Sequence, residues 1–111
     1  MITQYSLDFN EVSQSDYKDL TPAERFMVFH NANPQVFNHL QDMAKELIAR
    51  GRKRIGINML LEVLRWNYYM KTDDPNSDFK INNNYAPHYA RLLIARNPEW
   101  VTVFELRQIR S

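Results

Sequence analysis

The sequence predicts an all-α, or mostly α, single domain of about five helices around a central helix. Three observations carry this. Pro22, Pro34 and Pro98 each follow a residue suited to cap a helix, Thr21, Asn33 and Asn97. The run from Ile55 to Met70 has no proline, and its only glycine, Gly56, lies in the first turn. Two glycines in 111 residues are too few for a turn-rich sandwich or barrel.

Residues 1–20 read as an extended or irregular arm, and residues 21–111 as one helical domain. In the arm, Tyr5, Leu7 and Phe9 alternate with polar residues, a short period-two pattern. Thr21, Pro22 and Glu24 form a cap, first helical position and capping-box partner, so a helix is expected from 22 to about 31. Asn33-Pro34 starts the next. Val36, Phe37, Leu40, Met43, Ala44, Leu47 and Ile48 are spaced by three and four, which predicts an amphipathic helix over 34–49 with Gly51 as its stop.

The stretch RKRIGINMLLEVLRWNYYM is the expected centre. Sixteen residues at helical rise span about 24 Å, enough to cross a small domain. Asn58, Glu62 and Arg65 share one face, and the rest of the circumference is apolar. A helix apolar on most sides is expected to be buried on most sides. The turn-forming residues of KTDDPNSD predict a polar loop, the segment most able to move. Phe79, Lys80 and Ile81 are compatible with one extended strand of a short strand pair. Asn82, Asn83 and Asn84 offer caps for a helix over about 84–95, and Asn97-Pro98 starts a last helix running to about 106.

Net charge is only +1, but it is unevenly placed. Residues 1–49 hold three basic and seven acidic side chains; residues 50–111 hold eleven and six. The basic half can attract phosphates, or pair with the acidic half. There is no cysteine, which excludes disulfides and thiolate metal sites and fits a reducing cytoplasm. No run approaches 18 apolar residues, and the first twelve residues lack the basic and apolar regions of a secretory signal.

The most specific candidate site follows from the helix order. Two helices joined by a short Gly-containing turn, then a helix with an amide-rich start, suggest a helix-turn-helix-like layout. Asn83, Asn84, His88 and Arg91 would then lie at the start of a recognition helix, able to read base edges. Arg50, Arg52, Lys53, Arg54 and Lys80 would contact phosphates of DNA or RNA. The eleven residues between the central helix and this one exceed the usual three-to-four-residue turn, a clear departure from the pattern. Each residue also has a structural use. Asn commonly caps helices, Arg91 can pair with Glu62 or an N-terminal carboxylate, and residues 50–54 can be a solvated turn. Trp66, Tyr68, Tyr69, Tyr85 and Tyr89 could stack on unpaired bases, but helical spacing favours core packing.

His39, Asp42 and Glu46 share a helix face without matching a metal template, and His30 and His88 stand alone. No nucleophile elbow, phosphate loop or dinucleotide fingerprint is present. The expectation is therefore no enzyme, no metal and no cofactor.

The segments GRKRIGINMLLEVLRW, FKINNNYAPHYARLL, NPEWVTVFELRQIRS and FHNANPQVFNHL together resemble a type of small protein found in bacteriophages and prophages, over roughly residues 26–111. The resemblance implies a cytoplasmic setting in a bacterial host and transfers no functional residue. A nucleic-acid-binding, regulatory role is the favoured expectation. The rival is a protein-interaction factor, such as a phage inhibitor of a host defence system, using a patch of Trp100, Phe104 and the acidic half. A homodimer is compatible with either, since small helical domains often complete their cores by association.

Overall fold

The computed structural model describes residues 9–10 and 19–105. Four α-helices run in order: α1 Pro22–Ala32, α2 Pro34–Ala49, α3 Ile57–Lys71 and α4 Ala86–Arg96. A 3-10 turn, Asn83–Tyr85, leads into α4, and a second, Pro98–Thr102, follows it. The chain is all-α among the described residues. The fifth helix is replaced by the second 3-10 turn, and the strand pair around Phe79, Lys80 and Ile81 is not formed. Those three residues are an irregular segment whose Phe79 and Ile81 side chains enter the core. The expected alternation at Tyr5 and Leu7 lies outside the described residues.

Thr21 and Glu24 close the capping box of α1. Thr21 Oγ1 accepts from the Glu24 amide at 3.2 Å, and Glu24 Oε1 accepts from the Thr21 amide at 2.9 Å. The bond from the Thr21 backbone, and then that with its side chain, lower the Glu24 pKa from its ordinary 4.5. Asn33 is less conventional. It separates α1 from α2, but its side chain makes no capping bond to α2. Its Nδ2 instead donates back to the Phe29 carbonyl, and its Oδ1 accepts from the Asn10 amide at 2.7 Å. Phe9 consequently sits in an aromatic cluster with Phe29, Tyr68 and Phe79.

α2 ends as expected. Gly51 has φ +96°, a left-handed conformation costly for other residues, and its amide bonds to the Ile48 carbonyl at 2.9 Å. α3 begins two residues later than the apolar run. The Ile55 amide is committed to the Val103 carbonyl at 2.9 Å, a contact across the chain that no local pattern announces.

α3 packs on α2 and α4, and α4 on the second 3-10 turn. The core contains Phe26, Phe29, Val36, Leu40, Leu60, Leu61, Leu64, Tyr89, Leu93, Trp100 and Phe104. α3 is buried on one side only. Leu60, Leu61 and Leu64 face inward, whereas Met59, Val63, Trp66, Tyr69 and Met70 are exposed. The expectation of burial on most sides therefore fails, and so does core packing for Trp66 and Tyr69. No other described element covers this outward face.

The polar loop after α3 is fastened by two tyrosines of that helix. The Tyr68 hydroxyl bonds to the Ser77 hydroxyl, and the Phe79 amide donates to the Tyr69 hydroxyl at 3.2 Å. Asp74 closes a local turn by accepting from the Asn76 amide at 2.9 Å. No helix is long and apolar enough to cross a membrane among the described residues.

Candidate nucleic-acid interface

A groove of about 720 Å³ opens where the start of α3 meets the start of α4. Arg54, Asn58, Asn83, Asn84 and His88 give it polar walls, and Ile55, Ile57, Ala86 and Pro87 an apolar lining. Glu105 contributes one acidic group. Four of the nine candidate nucleic-acid residues, Arg54, Asn83, Asn84 and His88, thus line one recess although up to 34 positions separate them in sequence. One distant contact and one local turn bring them there. The bond between Ile55 and Val103 fixes Arg54 at the rim. The 3-10 turn brings Asn83 and Asn84, and the first turn of α4 brings His88, to the same recess.

The three consecutive asparagine side chains have three different situations. Asn82 is the cap, accepting from the Asn84 amide at 2.8 Å. Asn83 Oδ1 accepts from Arg65 Nη2 at 2.9 Å. The Asn84 side chain has no hydrogen-bond partner among the described residues and is exposed in the groove. Capping therefore accounts for one asparagine, support for the second, and neither for the third.

His88 is held face to face with Phe26, ring centroids 5.2 Å apart and planes 19° from parallel. Burial, and then the nearby positive charge of Arg91, lower its pKa from the ordinary 6.5. At neutral pH it is a neutral imidazole, offering one donor and one acceptor. Arg91 sits one turn along α4 outside the groove lining, near enough to act on His88.

The phosphate candidates divide. Arg52, Lys53 and Arg54 are exposed and have no ion-pair partner among the described residues. Arg50 Nη2 lies 3.3 Å from Glu46 Oε1, one turn back, but both side chains are solvated and such pairs contribute little. Lys80 is exposed on the loop segment and does not line the groove.

The layout departs from a helix-turn-helix in two ways. Residues 72–82 form a long, folded connection before α4, and the start of α4 lines a recess instead of projecting. Trp100 and Phe104 also need correction as a partner surface. They are only 6% and 2% exposed, with ring centroids 6.3 Å apart, Trp100 within the second 3-10 turn and Phe104 just after it. Both belong to the core.

Asn58 also lines the groove, although in the sequence it is only one member of the polar face it shares with Glu62 and Arg65. Its closeness in sequence to the basic turn was the available signal. No cluster of three metal-ligating side chains occurs among the described residues. No protein-family model, curated protein or solved structure matches the chain.

Proposed function

We propose that the chain binds nucleic acid, with phosphates held by the basic turn at residues 50–54 and an unpaired base or nucleotide seated in the adjoining groove. The convergence of Arg54, Asn83, Asn84 and His88 on one recess is the observation that carries this reading. Arg52, Lys53 and Arg54, exposed cations without an ion-pair partner among the described residues, supply a sequence-independent attraction to backbone phosphates. Asn84 and neutral His88 supply donors and acceptors suited to a base edge, and the apolar wall suits a base face. A recess favours a splayed or single-stranded nucleotide over the major groove of a duplex, which is read by elements that project. The volume falls within the range of ligand pockets.

The phage-related, cytoplasmic and regulatory setting suggested by the sequence resemblance belongs to the same proposal. The rival protein-interaction reading loses the two aromatic residues of its surface, because Trp100 and Phe104 are core residues.

The test is anisotropy of labelled single-stranded and duplex oligonucleotides over a salt series. Tight, steeply salt-dependent binding of the single strand is expected. Replacing Arg52, Lys53 and Arg54 together by Ala flattens the logarithmic salt slope by about 2, at roughly 0.7 per neutralised phosphate. Asn84→Ala with His88→Ala weakens binding at an unchanged slope. No binding of either form at low salt overturns the proposal, as does binding indifferent to both sets of substitutions.

A further inference from the structure

The outward face of α3 has a composition that a surface helix does not require. Met59, Val63, Trp66 and Met70 recur at spacings of four, three and four, which places them in one stripe. The stripe lies opposite Leu60, Leu61 and Leu64, the residues α3 gives to the core. Trp66 and Met70 are each 66% exposed. α3 is thus apolar on both sides, the pattern of a helix with neighbours on both sides, yet the described chain supplies only one.

We infer that this face pairs with the same face of a second copy of this chain, the two α3 helices running antiparallel. Area supports an occupant of this size. Met59, Val63, Trp66, Tyr69 and Met70 together expose on the order of 500 Å², near the upper end of the largest patches on monomers. Two such faces together present about 1,000 Å², the order of area at which a specific association begins. The 4-3-4 spacing is that of a helix-pairing seam.

Charge supports a copy over a charged partner. None of the four stripe residues is ionisable, and Glu62, the acidic group beside them, is solvated and has Arg65 of its own helix 3.4 Å away. An apolar stripe with this composition is complementary to itself. A twofold axis midway between Val63 and Trp66 sets Val63 of one copy against Trp66 of the other, small against large. It also sets Met59 against Met70. The antiparallel direction separates the two Glu62 groups by about 7–8 Å along the axis at helical rise, whereas a parallel pair would hold them level.

Sedimentation velocity over a concentration series is the first measurement. A reversible dimer is expected, with Trp66→Glu raising its dissociation constant at least about 30-fold, the size of a hot-spot loss. Met70→Glu acts in the same direction. Both positions are exposed in the single chain, so far-ultraviolet circular dichroism of the variants stays unchanged. The absence of cysteine permits a second measurement. Met59→Cys and Met70→Cys, mixed, form a crosslinked dimer on oxidation, and neither does so alone. A monomer at millimolar concentration overturns the inference, including one whose Trp66 is shielded by the chain's own ends. A dimer indifferent to Trp66→Glu, or crosslinking of either cysteine variant alone, overturns it as well. The measurements are made without nucleic acid, so they stand or fall separately from the groove.

Discussion

Arg65 Nη2 donates to Asn83 Oδ1 at 2.9 Å, joining the middle of α3 to the turn that opens α4. The same guanidinium lies 5.1 Å from the centre of the Phe79 ring. Its Nε is 3.4 Å from Glu62 Oε1, close enough for an ion pair but not aligned as a hydrogen bond. We weight the Asn83 bond above the Glu62 pair, because Glu62 is largely solvated and such pairs contribute little. One side chain therefore braces a groove wall from behind. Arg65→Ala is expected to lower stability by about 1 kcal/mol, read as a lower urea midpoint at constant slope. It also weakens oligonucleotide binding without changing the salt slope, since Arg65 does not line the groove.

His30 sets an acid limit. It is buried, its Nδ1 has no hydrogen-bond partner among the described residues, and burial followed by the charge of Arg96 lowers its pKa from 6.5. The unfolded chain then binds the proton more readily than the folded one. Its neutral form favours folding at full strength above pH 6.5, and that contribution declines as pH falls from 6.5 through the folded pKa. His88 acts in the same sense. Urea unfolding measured between pH 8 and pH 5 should show stability falling with acidity. His30→Phe, which keeps the stacking on Phe26, should reduce the slope and leave the share due to His88.

Asn33 fastens the start of the described chain. It is fully buried and holds both the amide and the carbonyl of Asn10. Asn33→Ala leaves the Asn10 amide without its acceptor and should cost about 2 kcal/mol. The Asn10 amide should also lose hydrogen-exchange protection well before the core helices do.

Tyr89 offers the opposite sign. Its side chain is fully buried, and its hydroxyl has no hydrogen-bond partner among the described residues. Burial, with a smaller effect from Tyr85, raises its pKa. Tyr89→Phe removes an unpaired polar group and keeps the edge-to-face contact with Phe26. A gain of about 1 kcal/mol in thermal or urea unfolding is expected.

The parts legible in the sequence were those decided locally. Thr21, Pro22 and Glu24 announced α1, and Pro34 and Gly51 bounded α2, because capping and left-handed turns depend on a few adjacent residues. Distant partners decided the rest. Ile55 left the helical pattern for Val103, and the last turn stopped at Thr102 as a 3-10 helix. The apolar content of α3 was visible, but hydrophobicity does not say which neighbour covers which side, and Trp66 ended outside. For the groove, residue types sufficed to choose Arg54, Asn84 and His88. Only the fold could separate them from Lys80 and Arg91, or reveal that Asn83 serves Arg65.

The asparagine that joins α1 to α2 has a consequence for how the protein ages. Asparagine deamidates when the next residue's backbone nitrogen attacks its side-chain amide and closes a succinimide ring. Pro34 has no N–H to perform that attack, and Pro98 guards Asn97 in the same way. Aspartate at position 33 would turn a donating nitrogen into an oxygen facing the carbonyls of Phe29 and Asn10. Asn33 and Asn97 are thus shielded by the proline that follows each. Asn84, exposed in the groove and followed by Tyr85, has no such protection. Slow deamidation should therefore spare the junctions at Asn33 and Asn97, while the asparagine turn at the groove stays open to it.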